Sequence, residues 1–158
     1  MKLVKTTLAI GVLTFYGCLS SYAAEPAIVL DTAQIPWQPA PADFPSGIKI
    51  SYVYGNPAHK GPFVIRVWIP PHSAIAPHTH SMDETLTVVS GQFTHYVGKT
   101  YDTSETKELT AGGFVHLPKN IPHALRTTDH EAIVEVVGVG PFGMTYVNPK
   151  DNPAASLK

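Results

Sequence analysis

Short apolar runs separated by turn residues dominate the chain from residue 48 onward. The first run, residues 48–54, ends at Gly55-Asn56-Pro57, and the second, residues 63–69, ends at Pro70-Pro71. Runs rich in β-branched and aromatic residues and bounded by glycine, proline and asparagine are typical of strands joined by turns. No segment shows the 3.6-residue periodicity of an amphipathic helix. The pattern therefore predicts an all-β fold.

The same pattern continues to residue 147 at short, regular intervals. Further strands are predicted at residues 76–80, 85–89, 92–97, 107–109, 114–117, 121–126, 132–138 and 143–147, with a turn at Ser90-Gly91. About ten short strands at even spacing indicate a jelly roll or closed barrel, because closure protects strand edges from pairing with other chains. We predict a single β-barrel domain over residues 48–147.

Two flanking segments differ from the barrel in composition. Residues 24–47 are rich in proline and predict an extended N-terminal extension, in which residues 28–30 could form a short strand. Residues 148–158 are polar and predict a loose C-terminal tail.

The first residues have the layout of a secretory signal peptide. Lys2 and Lys5 precede an apolar run over residues 8–19, which is followed by small side chains up to Ala24. The run is shorter than the roughly 20 residues of a transmembrane helix. We expect residues 1–23 to be removed and the mature protein to lie in the periplasm or outside the cell; the alternative is a lipoprotein anchored at Cys18, the only cysteine.

Composition narrows the class of partner. The 158 residues suit one domain, the formal net charge is −1, and charged residues make up 15% of the chain, against about 25% in an average globular protein. No basic block is present to contact a phosphate backbone, which argues against nucleic acid. Cleavage before Ala24 would also remove the single cysteine, so a metal would have to be bound by nitrogen and oxygen ligands.

The residues with the clearest chemistry lie between the predicted strands. His78 and His80 are two apart, and side chains two apart on a strand point to the same face, so both imidazoles can reach one ion. Glu84 follows after a short bend and can return a carboxylate oxygen to the same point. A fourth ligand would come from a distant strand, where His116 and His123 are candidates and we favour His123.

These two segments resemble the two sequence motifs of the cupin superfamily. The first motif is matched in full by His78, His80, Glu84 and Gly91. The second is met by Gly112, Pro118 and His123, but Asn120 stands where glycine is usual, Thr127 where asparagine often stands, and His72 replaces the glycine that opens the first motif.

The resemblance covers about residues 48–140. It implies a small jelly-roll barrel of a type-2-like cupin, one divalent metal ion held by His78, His80, Glu84 and His123, and frequent homodimers.

Such a ligand set suits Mn, Fe, Ni, Cu, Co or Zn and leaves coordination positions open for a small organic molecule. We expect a metal-dependent enzyme that carries out oxygenation, decarboxylation or isomerisation, with Glu84 and His116 as catalytic candidates. The alternative is a periplasmic protein that binds a metal or metabolite without turnover. An inward-facing acid or base near the metal would favour the enzyme.

Three further residues are candidates for a place in the site. His95 and Tyr96 are neighbours on one predicted strand, so only one of them can point inward. Arg66 could clamp a substrate carboxylate from inside the barrel, although an outward position is the stronger expectation.

Overall fold

The computed structural model describes residues 26–157, so the predicted signal peptide and Cys18 lie outside the described residues. Within this part of the chain, no helix is long and apolar enough to cross a membrane. The regular elements of the described residues are ten strands and short 3₁₀ helices, which confirms the all-β prediction. The strands are β1 (Gln38–Pro39), β2 (Lys49–Tyr54), β3 (Gly61–Ile69), β4 (Ala74–His80), β5 (Glu84–Val97), β6 (Thr106–Thr110), β7 (Phe114–Leu117), β8 (His123–Arg126), β9 (Ala132–Gly140) and β10 (Met144–Tyr146).

All ten strands belong to one curled antiparallel sheet. Its main order is β1-β2-β3-β9-β5-β8-β4-β10, and β6 and β7 also pair with β5. The first half of β5 pairs with β7 and β9, whereas the second half pairs with β6 and β8. β5 therefore belongs to both halves of the curled sheet, and the apolar core lies between those halves.

The core consists of inward side chains that alternate with outward ones along each strand. Phe63, Ile65, Val67 and Ile69 on β3 are buried, and Val134 and Val136 on β9 pack against the same cluster. Such alternation is expected when one face of an antiparallel sheet covers a core and the other faces water.

The predicted turn at Ser90-Gly91 is wrong, because β5 continues through it as one strand with a bulge. The pairing of β5 with β9 shifts register between Val88 and Ser90, and Gly91 has a φ of 73°. The bulge changes which side chains point inward. Before it the buried residues are Glu84, Leu86 and Val88; after it they are Phe93 and His95.

The N-terminal extension contacts the barrel but does not form the strand predicted at residues 28–30, which are exposed and without regular structure. An apolar run without a neighbouring strand edge gains no ladder hydrogen bonds, so propensity alone does not make it a strand. Asp31 instead caps a 3₁₀ helix at Thr32–Gln34, and β1 pairs with β2. The Tyr146 hydroxyl donates to the Asp43 carbonyl at 2.7 Å, which ties the extension to β10.

The C-terminal segment, expected to be loose, forms two short 3₁₀ helices at Pro149–Asp151 and Pro153–Leu157. The Asn148 side chain accepts a hydrogen bond from the Lys150 amide and caps the first of them. Asparagine before proline at the first helical position is a common way to begin a helical turn.

Candidate metal centre

Three buried histidines meet inside the barrel. His78 and His80 lie on β4, His123 begins β8, and His78 and His123 are direct partners across the two strands. The three residues are at most 8% exposed. Each offers one ring nitrogen, and these nitrogens lie within 4.8 Å of one another. This spacing allows all three to bind one ion.

The backbone fixes the orientation of each ring. Nδ1 of His78 lies 2.8 Å from the Ala76 carbonyl, that of His80 lies 3.1 Å from the Gly143 carbonyl, and that of His123 lies 3.2 Å from the Ile121 carbonyl. A carbonyl oxygen only accepts, so Nδ1 donates its proton in each contact. In a neutral imidazole this leaves the Nε2 lone pair free, the arrangement found in metal-binding histidines.

Glu84 brings a carboxylate to the same point. Its Oε1 lies 3.6 Å from His80 Nε2 and its Oε2 lies 3.1 Å from His123 Nε2. Oε2 is buried and has no hydrogen-bond partner among the described residues. If His123 carries its proton on Nδ1, the facing atoms are two acceptors, which repel unless a cation lies between them. The donor set thus fits a divalent metal bound by imidazole nitrogens and carboxylate oxygen.

The protonation states agree with this role. Burial lowers the pKa of His78 to about 3, with His123 and His80 acting in the same direction, and burial also lowers the pKa of His80. For Glu84, burial raises the pKa, but the contact with His123 and the charge of nearby His80, when these rings are protonated, outweigh it and bring the pKa to about 2. Neutral imidazoles and an ionised carboxylate are the forms that bind metal ions.

The histidines and Glu84 border a small cavity with apolar walls. The volume of this cavity is about 50 Å³. No lysine or arginine is among the lining residues. They are Phe44, Ile65, Val67, Ile69, Ile75, His78, His80, Glu84, Leu86, His95, His123, Leu125, Val134, Val136, Phe142 and Met144.

The aromatic ring of Phe142 supports this cavity on the side of His80. The Phe142 ring stacks on the His80 ring with centroids 4.2 Å apart and also contacts Phe63 at 5.2 Å. The alternation of Phe142, Met144 and Tyr146 in the sequence fits a closing strand that packs against the barrel or a dimer partner, or the lining of a ligand pocket. In the structure Phe142 and Met144 line the cavity.

The predicted catalytic role of His116 does not agree with its position. His116 lies exposed on the outer face of β7, with Nδ1 3.2 Å from the Thr85 hydroxyl. On a strand, residues two apart point to the same face. Phe114, two residues before His116, is 61% exposed, whereas the next residue, Leu117, points to the other face and is buried. The alternation of β7 therefore directs His116 away from the cavity.

His95 is the residue that the structure places inside instead. It is 5% exposed, lines the cavity, and stacks on His123 with ring centroids 5.6 Å apart. Burial lowers its pKa to about 4, and nearby His123 acts in the same direction. Its neighbour Tyr96 is half-buried outside the cavity and packs against Tyr101.

Arg66 lies outside the cavity, as expected. Its Nε donates to the Glu135 carboxylate at 2.9 Å on the neighbouring strand β9.

At the two positions where the motifs usually have glycine, the backbone still adopts a conformation that glycine favours. Asn120 and His72 both adopt positive φ, at 65° and 55°. Asparagine tolerates this conformation better than most residues, and histidine is also enriched there. Thr127 is buried, and its hydroxyl donates to the Pro70 carbonyl at 2.6 Å and accepts from the Ser73 amide at 2.9 Å.

Comparison with protein families and curated proteins gives two matches. The model of the cupin domain matches residues 65–140. A curated relative from Bacillus subtilis, named H2HPP isomerase, is 33% identical over 90 residues, which make up 56% of this chain and 36% of that protein. The matched segment thus spans about a third of the relative's length.

Solved structures share the fold at low sequence identity. The polyketide cyclase RemF from Streptomyces resistomycificus superimposes with a TM-score of 0.67 at 15% identity, covering 79% of this chain and 88% of that one. A putative acetylacetone dioxygenase from Methylibium petroleiphilum gives 0.59 at 21% identity, with 83% and 88% covered. A cupin-like protein from Thermotoga maritima gives 0.57 at 17% identity, with 72% and 88% covered. With its jelly-roll sheet and the histidine cluster in the interior, this chain contains a cupin domain at the matched residues 65–140.

Proposed function

We propose that this cupin is a metal-dependent enzyme that acts on a small organic molecule inside the barrel. One observation carries the proposal: three histidines with Nδ1 bound to backbone carbonyls direct Nε2 toward one point beside a buried, unpaired carboxylate oxygen. Burying four such groups without a cation costs folding free energy, which is expected of a binding site rather than of a structural core.

The roles of the residues follow from their positions. His78, His80, Glu84 and His123 would hold the ion, which when bound supplies a Lewis acid that polarises a substrate oxygen. Glu84 is ionised and can accept a proton at a carboxylate oxygen if it moves off the ion. The apolar side chains around the cavity exclude water, which strengthens every electrostatic contact inside it.

The names of similar proteins support an enzyme over a purely structural role. They include an isomerase, a polyketide cyclase, a putative dioxygenase and DMSP lyases. We propose isomerisation, oxygenation or decarboxylation of a small substrate.

A second candidate is a receptor that binds a metal or metabolite without turnover. It is favoured by one feature of the cavity, because apart from the histidines and Glu84 every lining residue is apolar. The inward position of His95 favours the enzyme, since it supplies a polar group beyond the proposed ligands.

We also propose that the mature protein is exported and forms a homodimer. Export is supported by Lys2 and Lys5 before the apolar run of residues 8–19. Association is supported by exposed apolar side chains on the outer face of the sheet, among them Phe114 at 61% and Val139 at 54%. Sedimentation of the protein secreted from its own host should give twice the mass of residues 24–158; a monomer mass would contradict the dimer, and retention of residues 1–23 would contradict export.

The enzyme proposal predicts both metal uptake and turnover. Protein purified without chelators or metal affinity resins should contain about one equivalent of a divalent transition metal, measured by mass spectrometry. The His78→Ala/His123→Ala variant should lose most of it, because two of the nitrogen ligands are gone. The metal-loaded protein should convert a small enolisable ketone. Acetylacetone is the first probe, and its conversion is measured by the change in its ultraviolet absorbance and by oxygen uptake.

The outer-face variant His116→Ala is the matched control and should keep both metal and turnover. Unchanged metal content in the double variant would contradict the site. Stoichiometric binding of ketones without conversion of any of them would contradict the enzyme and favour the receptor.

A further inference from the structure

His95 is a buried polar side chain that the proposed metal site does not use. Its Nε2 is buried and has no hydrogen-bond partner among the described residues. The ring nevertheless lines the cavity and stacks on His123. An unpaired buried nitrogen is unfavourable for folding, and buried polar groups in native proteins are nearly always satisfied.

The position of His95 does not make it a fourth nitrogen ligand. The nitrogens that lie within 4.8 Å of one another belong to His78, His80 and His123, and the His95 ring stacks on the His123 ring instead of joining them. Many buried polar groups form hydrogen bonds between neighbouring strands, but among the described residues the Nε2 of His95 makes no such bond. A ligand in the cavity is therefore the natural partner for this nitrogen.

The charges around the cavity restrict that ligand. No lysine or arginine is among the lining residues, and Arg66 is paired with Glu135 outside. A ligand carrying a phosphate or several carboxylates would have no cationic side chain to bind it, whereas a small uncharged molecule with an apolar body fits the walls.

On the basis of the proposed function, we infer that His95 is a substrate-binding residue that hydrogen-bonds one oxygen of a small uncharged ketone or its enol. The apolar body of this molecule contacts the walls formed by β3, β8 and β9. A second oxygen faces the three-histidine cluster. A neutral imidazole has one N–H and one free lone pair, so it can donate to a carbonyl oxygen or accept from an enol hydroxyl.

The test compares acetylacetone binding to metal-loaded wild type and three variants by calorimetry. His95→Leu removes both ring nitrogens and should raise the Kd for acetylacetone about tenfold, the loss expected for one neutral hydrogen bond of roughly 1.4 kcal/mol. His95→Gln keeps a donor and an acceptor and should restore part of the affinity. His116→Leu, which removes an outer-face histidine, should bind like wild type.

Two further readouts separate substrate binding from a structural role. Metal content should be the same in His95→Leu and wild type. The melting temperature of ligand-free His95→Leu should equal or exceed that of wild type, because the substitution removes an unsatisfied buried nitrogen. In the wild type, acetylacetone should also shift the ¹⁵N resonance of His95 Nε2.

Each alternative outcome bears on a different claim. Full metal content with an unchanged Kd in His95→Leu overturns the role of His95 alone, as does metal-loaded wild type that binds no acetylacetone. A marked fall in melting temperature in His95→Leu also overturns it and indicates a structural residue. Wild type that takes up no metal overturns the proposed function and, with it, this inference.

Discussion

Replacing Gly91 with alanine should lower the free energy of unfolding by at least about 3 kcal/mol. Gly91 directly follows the bulge of β5 and has a φ of 73°, and a Cβ added there would overlap the Glu131 carbonyl oxygen and lie 3.0 Å from Ala132 Cα. Both obstacles are backbone atoms of the paired chain segment. They cannot move aside as the end of a side chain could, so the bulge itself would have to shift.

Gly112→Ala is the matched control for this prediction. Gly112 has a similar φ of 86°, but a Cβ there meets nothing within 4 Å. It should therefore show only the left-handed backbone cost of about 1–2 kcal/mol. Chemical denaturation of both variants measures the difference. Equal losses of unfolding free energy in the two variants would show that the backbone around Gly91 can shift and relieve the steric contact at little cost.

The bulge matters for the site as well as for stability. It moves the inward position from even-numbered residues at Glu84, Leu86 and Val88 to odd-numbered ones at Phe93 and His95. Without it, a regular strand starting from an inward Glu84 would turn Tyr96 inward and His95 outward. The register shift between Val88 and Ser90 thus allows one strand to place both Glu84 and His95 against the same cavity.

Most strands could be predicted from the sequence because their limits coincide with glycine and proline. The β2–β3 pair was located almost to the residue, since Gly55-Asn56-Pro57 and Pro70-Pro71 punctuate it. β5 was divided in two because Ser90-Gly91 has the same local signature in a turn and in a bulge. Only the partner strand distinguishes them, and pairing is not a local property.

The candidate metal site was predictable to a different degree at each position. The alternation of His78 and His80, with Glu84 and His123 at motif spacing, named the residues that the structure brings together. The sequence offers His116 as a catalytic candidate and leaves the choice between His95 and Tyr96 open, because both questions depend on which face of its strand a residue occupies. Parity follows from register and bulges, which the sequence does not state.

Saturating metal should stabilise the metal-free protein by about 4 kcal/mol when the free ion is about 1,000 times its Kd. The folded chain presents His78, His80 and His123 with their ligand nitrogens already within 4.8 Å of one another, whereas the unfolded chain does not. For a chain of this size the gain corresponds to roughly 10 °C in melting temperature. Calorimetry of chelator-treated protein with and without added metal measures it, and the His78→Ala/His123→Ala variant should lose nearly all of it.

The control must account for the other histidines, since the chain has eight. His59, His72 and His130 are exposed, and unfolded histidines also bind metals, which reduces the stabilisation of the folded state. His116→Ala removes an exposed histidine without touching the cavity, so it should keep the full gain. A gain that persists in the double variant but disappears in His116→Ala would place the ion on the outer face. Because the site presents a carboxylate beside neutral imidazoles in an apolar cavity, we expect the stabilisation to disappear in the double variant and to persist in His116→Ala.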